Sequence, residues 1–142
     1  MSALITIAEA VVTRLNAGDY SQEFTAERKY VPKYDLKDVK TLQVAVVPRS
    51  QAIARASRTE DYFDCAAHVG VMKKVDPDDL DEVDALCLLV QEILDELRGK
   101  PITDPIQAAW LSIANEPAWD PEHMDQLRQF TSVITVNYRL RR

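Results

Sequence analysis

The chain has 142 residues, 28% of them charged, and is long enough to bury a core without disulfide or metal staples. A formal net charge of −6 and only three glycines exclude two large classes: a general nucleic-acid binder, which needs a basic surface to release counterions, and a protein built around a glycine-rich phosphate loop. No apolar run approaches the roughly 18 residues of a membrane helix, and Met1-Ser-Ala-Leu-Ile5 lacks a basic leader, so a soluble intracellular protein with Cys65 and Cys87 as buried, reduced thiols is expected.

Leu4, Ile7, Ala8, Val11 and Leu15 recur at helical spacing and Gly18 follows as a stop, predicting a helix over Ala3 to Ala17. Aromatic and charged residues alternate from Phe24 to Asp35 around Pro32, the pattern of an edge strand. The apolar run Leu42 to Val47, ended by Pro48, predicts the middle strand of a sheet. The alanine-rich stretch from Pro48 to Arg58 then reads as a flexible loop or short helix bearing Arg49, Ile53, Arg55 and Arg58. Apolar residues at odd positions from Phe63 to Val75 predict one long strand, so that 42–75 forms an extended hairpin with a basic tip.

A helix over about 79–98 follows, with Asp76 as its cap, Pro77 in its first turn and Gly99 and Pro101 beyond its end. Leu80, Val83, Cys87, Val90, Leu94 and Leu97 define its expected core stripe, widened by Leu86 and Ile93. Asp78, Asp81, Glu82, Glu92, Asp95 and Glu96 form an acidic opposite face with Leu88 among them. Ile102 to Ala114 predicts another strand and Asn115 to Pro121 a turn. From Phe130 to the basic end Arg139, Arg141 and Arg142, Phe130, Ile134, Val136, Tyr138 and Leu140 alternate with polar residues as one face of a core strand. The order α-β-β-β-α-β-β predicts a single α+β domain, a mainly antiparallel sheet of four to five strands with two helices on one face.

Little here nominates chemistry. Asp76-Pro-Asp-Asp-Leu-Asp81 lacks the glycine and closing glutamate of a calcium loop and reads as helix-start acids. Cys65 and His68 point to opposite faces of a strand, so no zinc site is expected, and no cofactor is implied. His123 lies in an expected loop with no nucleophile beside it. Glu27-Arg-Lys29 has the acid-x-lysine spacing of metal-dependent nucleases and keeps a small nuclease as an alternative; a monomeric regulatory binding module is another. Trp110 and Trp119 read as core or loop anchors, Trp119 being the more exposed.

The arginines at 49, 55, 58, 139, 141 and 142 and the acids at 78–96 instead suggest a head-to-tail contact between copies, basic tip against acidic face. The opening helix, the long hairpin 42–75, the helix 79–98 and the terminal strand Phe130–Arg142 together resemble the tail terminator and head-tail joining proteins of long-tailed bacteriophages and prophages. The resemblance implies a non-enzymatic virion protein that forms a ring, commonly a hexamer. It implies contacts to the tail tube protein and the head-tail connector, assembly in the host bacterial cytoplasm, and a place in the virion tail or neck. The candidate contact residues are then Arg49, Ile53, Arg55, Arg58, Asp78, Asp81, Glu82, Leu88, Glu92, Asp95, Glu96, Arg139, Arg141 and Arg142.

Overall fold

A computed structural model describes residues 2–30 and 40–142. In chain order the elements are α1 (Ala3–Ala17), β1 (Ala26–Arg28), β2 (Gln43–Arg55), β3 (Asp61–Lys74), α2 (Leu80–Leu97), β4 (Ala109–Asn115), a π turn (His123–Leu127) and β5 (Gln129–Arg141). They build the expected α+β fold: a five-stranded sheet in the order β1-β2-β3-β5-β4, antiparallel except for the β1–β2 pair.

The sequence reading holds where a pattern has one interpretation. Ser2 caps α1 by accepting from Ile5 N, and Ile7, Ala8, Val11 and Leu15 face the core. Along β5, Phe130, Ile134, Val136, Tyr138 and Leu140 are buried, and β3 presents Cys65, Ala67, Val69 and Val71 to the same core. Register sets these side by side, Val69 opposite Ile134 and Ala67 opposite Val136, so the two strands form the centre of one apolar face. α1 packs over β1, β2 and β3, and α2 packs on β5 and on α1.

Six expectations are corrected. The middle strand is β3, with β2 one place out. The segment from Pro48 is neither loop nor helix, because β2 continues to Arg55 through a bulge between Pro48 and Ser50, leaving only Ala56 to Glu60 as the turn. A bulge is where a sheet accepts proline, since the ladder is already interrupted there. Asp79, not Asp76, caps α2 by accepting from Glu82 N, while Asp76 closes the preceding turn on Asp78 N. The core stripe of α2 is Leu86, Leu89, Val90, Ile93 and Leu97, which leaves Leu80 and Cys87 exposed. The strand expected from Ile102 begins at Ala109, preceded by a bridge between Ile102 and Ala108, and His123 lies in the π turn, not a loop. The edge strand expected over Phe24 to Asp35 is seen as β1, and its continuation through Pro32 lies outside the described residues.

β1 is held by side chains as much as by its ladder. Asn16, near the end of α1, donates through Nδ2 to Ala26 O at 3.2 Å and accepts from Ala26 N at 2.7 Å, imitating a neighbouring strand. Arg28 pairs with Glu9 of α1 on the same side. Asn16→Ala leaves both groups of Ala26 without that partner and is expected to destabilise the fold by about 1–3 kcal/mol, read as a lower urea midpoint with an unchanged slope.

Candidate assembly interface

At one end of the sheet β2, β3 and β5 run on together as an arm, with β4 alongside β5 as far as Arg139. Its ladder runs to Tyr62 opposite Arg141, and Asp61 and Arg142 exchange backbone bonds of 2.7 and 3.0 Å. β1 covers the outer edge of β2 only opposite Val44 to Val46. Past that point no strand lies alongside among the described residues, and every residue from Arg49 to Arg55 is exposed, Ile53 by 56%. Ser57 Oγ accepts from Thr59 N and Glu60 N, and Arg55 donates to Ser57 O and Arg58 O, so the turn is shaped by its own side chains.

The arm's cations divide into engaged and free groups. Arg139 forms a bidentate pair with Asp64, at 2.7 and 2.9 Å, and stacks over Tyr62 at 4.6 Å. The guanidinium holds the Asp64 carboxyl below the ordinary carboxylate range. The stability this pair adds is therefore present above that range and is lost as pH falls through the depressed value. Arg141 pairs with Glu60, Arg55 with Asp61, and Arg142 lies over Phe63. Among the described residues Arg49 and Arg58 have no carboxylate partner. Arg49 lies near His68, and burial together with that charge lowers the imidazole pKa and keeps it neutral.

The acidic side divides the same way. Glu82 pairs with Lys73, Asp95 with Arg98, and Glu96 with Lys100, while Glu92 accepts from Ser21 N and Oγ. Asp78 and Asp81 have no cationic partner among the described residues. Asp84, which the sequence reading passed over, joins them and lies one turn from both Leu80 and Leu88 on the outer face of α2. Leu80 is 69% and Leu88 54% exposed. The structure thus brings the nominated residues to two separate surfaces, and on each it leaves only some of the charges free to meet a partner. Trp119 and Leu127, 50% and 52% exposed, are further apolar residues outside the core. Spacing had marked Trp119 through its proline-rich turn; nothing marked Leu127, because the π turn has no sequence signature.

Glu27 lies on β1, and among the described residues no three of His, Cys, Asp and Glu gather as a metal site. No described helix is long and apolar enough to cross a membrane. Tyr138 is fully buried, its hydroxyl has no partner among the described residues, and burial raises its pKa to about 12 against a smaller opposing effect of Arg14. Burial likewise raises Tyr20 to about 12, helped by Glu96 and Glu92. The folded state keeps these protons where the unfolded chain loses them, so stability is expected to fall as pH rises from about 10 to 12. Absorbance titration should show two of the five tyrosines ionising late, and Tyr138→Phe should remove part of the slope.

No known family model matches the chain, and no curated protein matches it. Among solved structures the fold is similar to a chain of the virion of the native gene transfer agent (GTA) particle, with a TM-score of 0.51 and 15% sequence identity over 100% of both chains. That similarity establishes a shared fold from the first element to the last.

Proposed function

We propose that this protein is a non-enzymatic structural subunit of a phage or phage-like virion, which forms a ring, caps the tail tube and joins it to the head connector. The observation that carries this reading is the arm. Its outer β2 edge, Ile53, Arg49 and Arg58 face solvent, whereas the neighbouring arginines are consumed inside the chain. An exposed apolar residue on an open strand edge, with unpaired charges along the same strand and turn, is suited to contact with another molecule. Support comes from the fold shared along its whole length with a component of the GTA virion. The free acids Asp78, Asp81 and Asp84 and the exposed Leu88 provide a complementary surface elsewhere on the chain, so the contact is heterologous and repeats around a ring.

The reading places the protein in the host cytoplasm during assembly and afterwards in the virion tail or neck, with the tail tube protein and the connector as its other partners. Light scattering across a concentration series, with negative-stain images of the largest species, tests it. Closed rings, a hexamer by the resemblance, are the expected result. A monomer at every concentration that also fails to bind tail tubes overturns it.

A further inference from the structure

The two ends of the long strands carry opposite chemistry. The turn Ala56 to Glu60, Ile53 and the last arginines belong to one end, while Arg49 lies midway, at the bulge opposite Ala66 and Ala67. At the other, Val75 N donates to Arg128 O and Asp120 N to Thr131 O, which ties the π turn to the far ends of β3 and β5. There Pro77, Trp119, Pro121 and Met124 wall a cavity of about 360 Å³ whose charged groups are Asp78, Asp125 and Arg128. Leu80 and Leu127, each within two residues of a lining position, are exposed. Glu122 and Asp81 add to the acids, and Asp120 is spent capping the π turn through His123 N and Glu122 N. This end is therefore apolar, concave and acidic.

We propose that it is the acceptor for the hairpin tip of a second copy of this chain, with Trp119 as the apolar anchor beside Ile53 and with Asp78 and Asp125 facing Arg58. The inference rests on the ring reading and deepens it by naming which part of the acidic side is used. Charge complementarity favours the occupant: among the described residues Arg58 at the tip has no carboxylate partner, and at this end Asp78 and Asp125 have no cationic one and, with Asp81 and Glu122, outnumber Lys74 and Arg128. Distance requires it to come from another molecule, because β3 is 14 residues long and at about 3.3 Å per residue separates the two ends by on the order of 45 Å. The C-terminal half of α2 is the poorer acceptor, since Glu92, Asp95 and Glu96 already have partners. A concave pocket ringed by charge with a tryptophan in its wall also has the make-up of an interface hot spot.

Trp119 reports on this contact directly. In Trp110→Phe protein its emission should shift to the blue, and acrylamide quenching should fall at least threefold, as scattering shows mass rising. If Trp110→Phe perturbs the fold, the difference between the unsubstituted protein and Trp119→Phe gives the same signal. Arg58→Glu and Asp125→Arg should each raise the midpoint concentration of association at least tenfold, and the two together should recover most of that loss. Rings in which Trp119 stays as quenchable as in the monomer, with no recovery in the double variant, would overturn this contact and leave the ring reading standing. Filaments with a protected Trp119 would support the contact and overturn ring closure. A protein monomeric to millimolar concentration overturns the contact, and one that also fails to bind tail tubes overturns the ring reading with it.

Discussion

Phe130→Ala is expected to cost about 3–5 kcal/mol of folding stability, a large part of what a domain this size has. Phe130 is fully buried in the same core cluster as Leu86, Leu89, Val90 and Ile93 of α2, and it opens β5, which carries the alternating apolar face across the sheet. Truncation removes the transfer free energy of the ring and leaves a cavity that the paired strand β3 and the core residues of α2 cannot collapse to fill. Thr131, next along the strand, points to the other face and is half-buried. Its replacement by alanine should cost far less, about 1 kcal/mol, mainly through the hydrogen bonds that its hydroxyl makes with His123 and Gln129. Urea melts of the two variants compare them directly. Equal losses would mean that the face alternation of β5 does not determine where stability resides.

The same alternation explains why much of the fold was legible. A strand with one buried face has period two, and in β3 and β5 that period continues over more than ten residues with no competing interpretation. Helix α1 was legible for a similar reason, its stripe being narrow and bounded by Ser2 and Gly18. In helix α2 the expected stripe holds at Leu86, Val90, Ile93 and Leu97, but it included the exposed Leu80 and Cys87 and left out Leu89. Leucine, valine or isoleucine occurs at 80, 83, 86, 88, 89, 90, 93, 94 and 97, so more than one stripe fits, and only packing against β5 and α1 chooses Leu86, Leu89, Val90, Ile93 and Leu97. The distal half of β2 was missed because Pro48 reads as a breaker and alanines as helix or loop; the bulge that accommodates the proline is a tertiary feature. For the interface, sequence supplied the sign of each surface but not which charges are spent inside the chain. The ion pairs Arg139–Asp64 and Arg141–Glu60 join residues distant in sequence and exist only after the strands meet.

That distinction decides the second large effect. Arg49→Glu combined with Arg58→Glu is expected to weaken self-association on the order of 100-fold while leaving the folding stability read from urea melts within roughly 0.5 kcal/mol of the unsubstituted protein, because among the described residues neither guanidinium has a carboxylate partner. Arg55→Glu is a poorer probe. Its guanidinium pairs with Asp61 and holds the turn through Ser57 O and Arg58 O, so reversal sets a glutamate against Asp61 and disturbs the arm before any partner arrives. Arg139→Glu is poorer still, since it breaks the bidentate pair with Asp64. The free and engaged arginines should therefore separate in a plot of association against stability: Arg49 and Arg58 variants lose association alone, whereas Arg55 and Arg139 variants lose both. Raising salt should weaken the unsubstituted assembly and leave the charge-reversed protein little changed, because the interacting charges are exposed and screened within about 10 Å at 0.1 M. If the Arg49/Arg58 double variant assembles normally at low salt, the arm does not make its contact through charge, and Ile53 with the open β2 edge becomes the surface that holds the copies together.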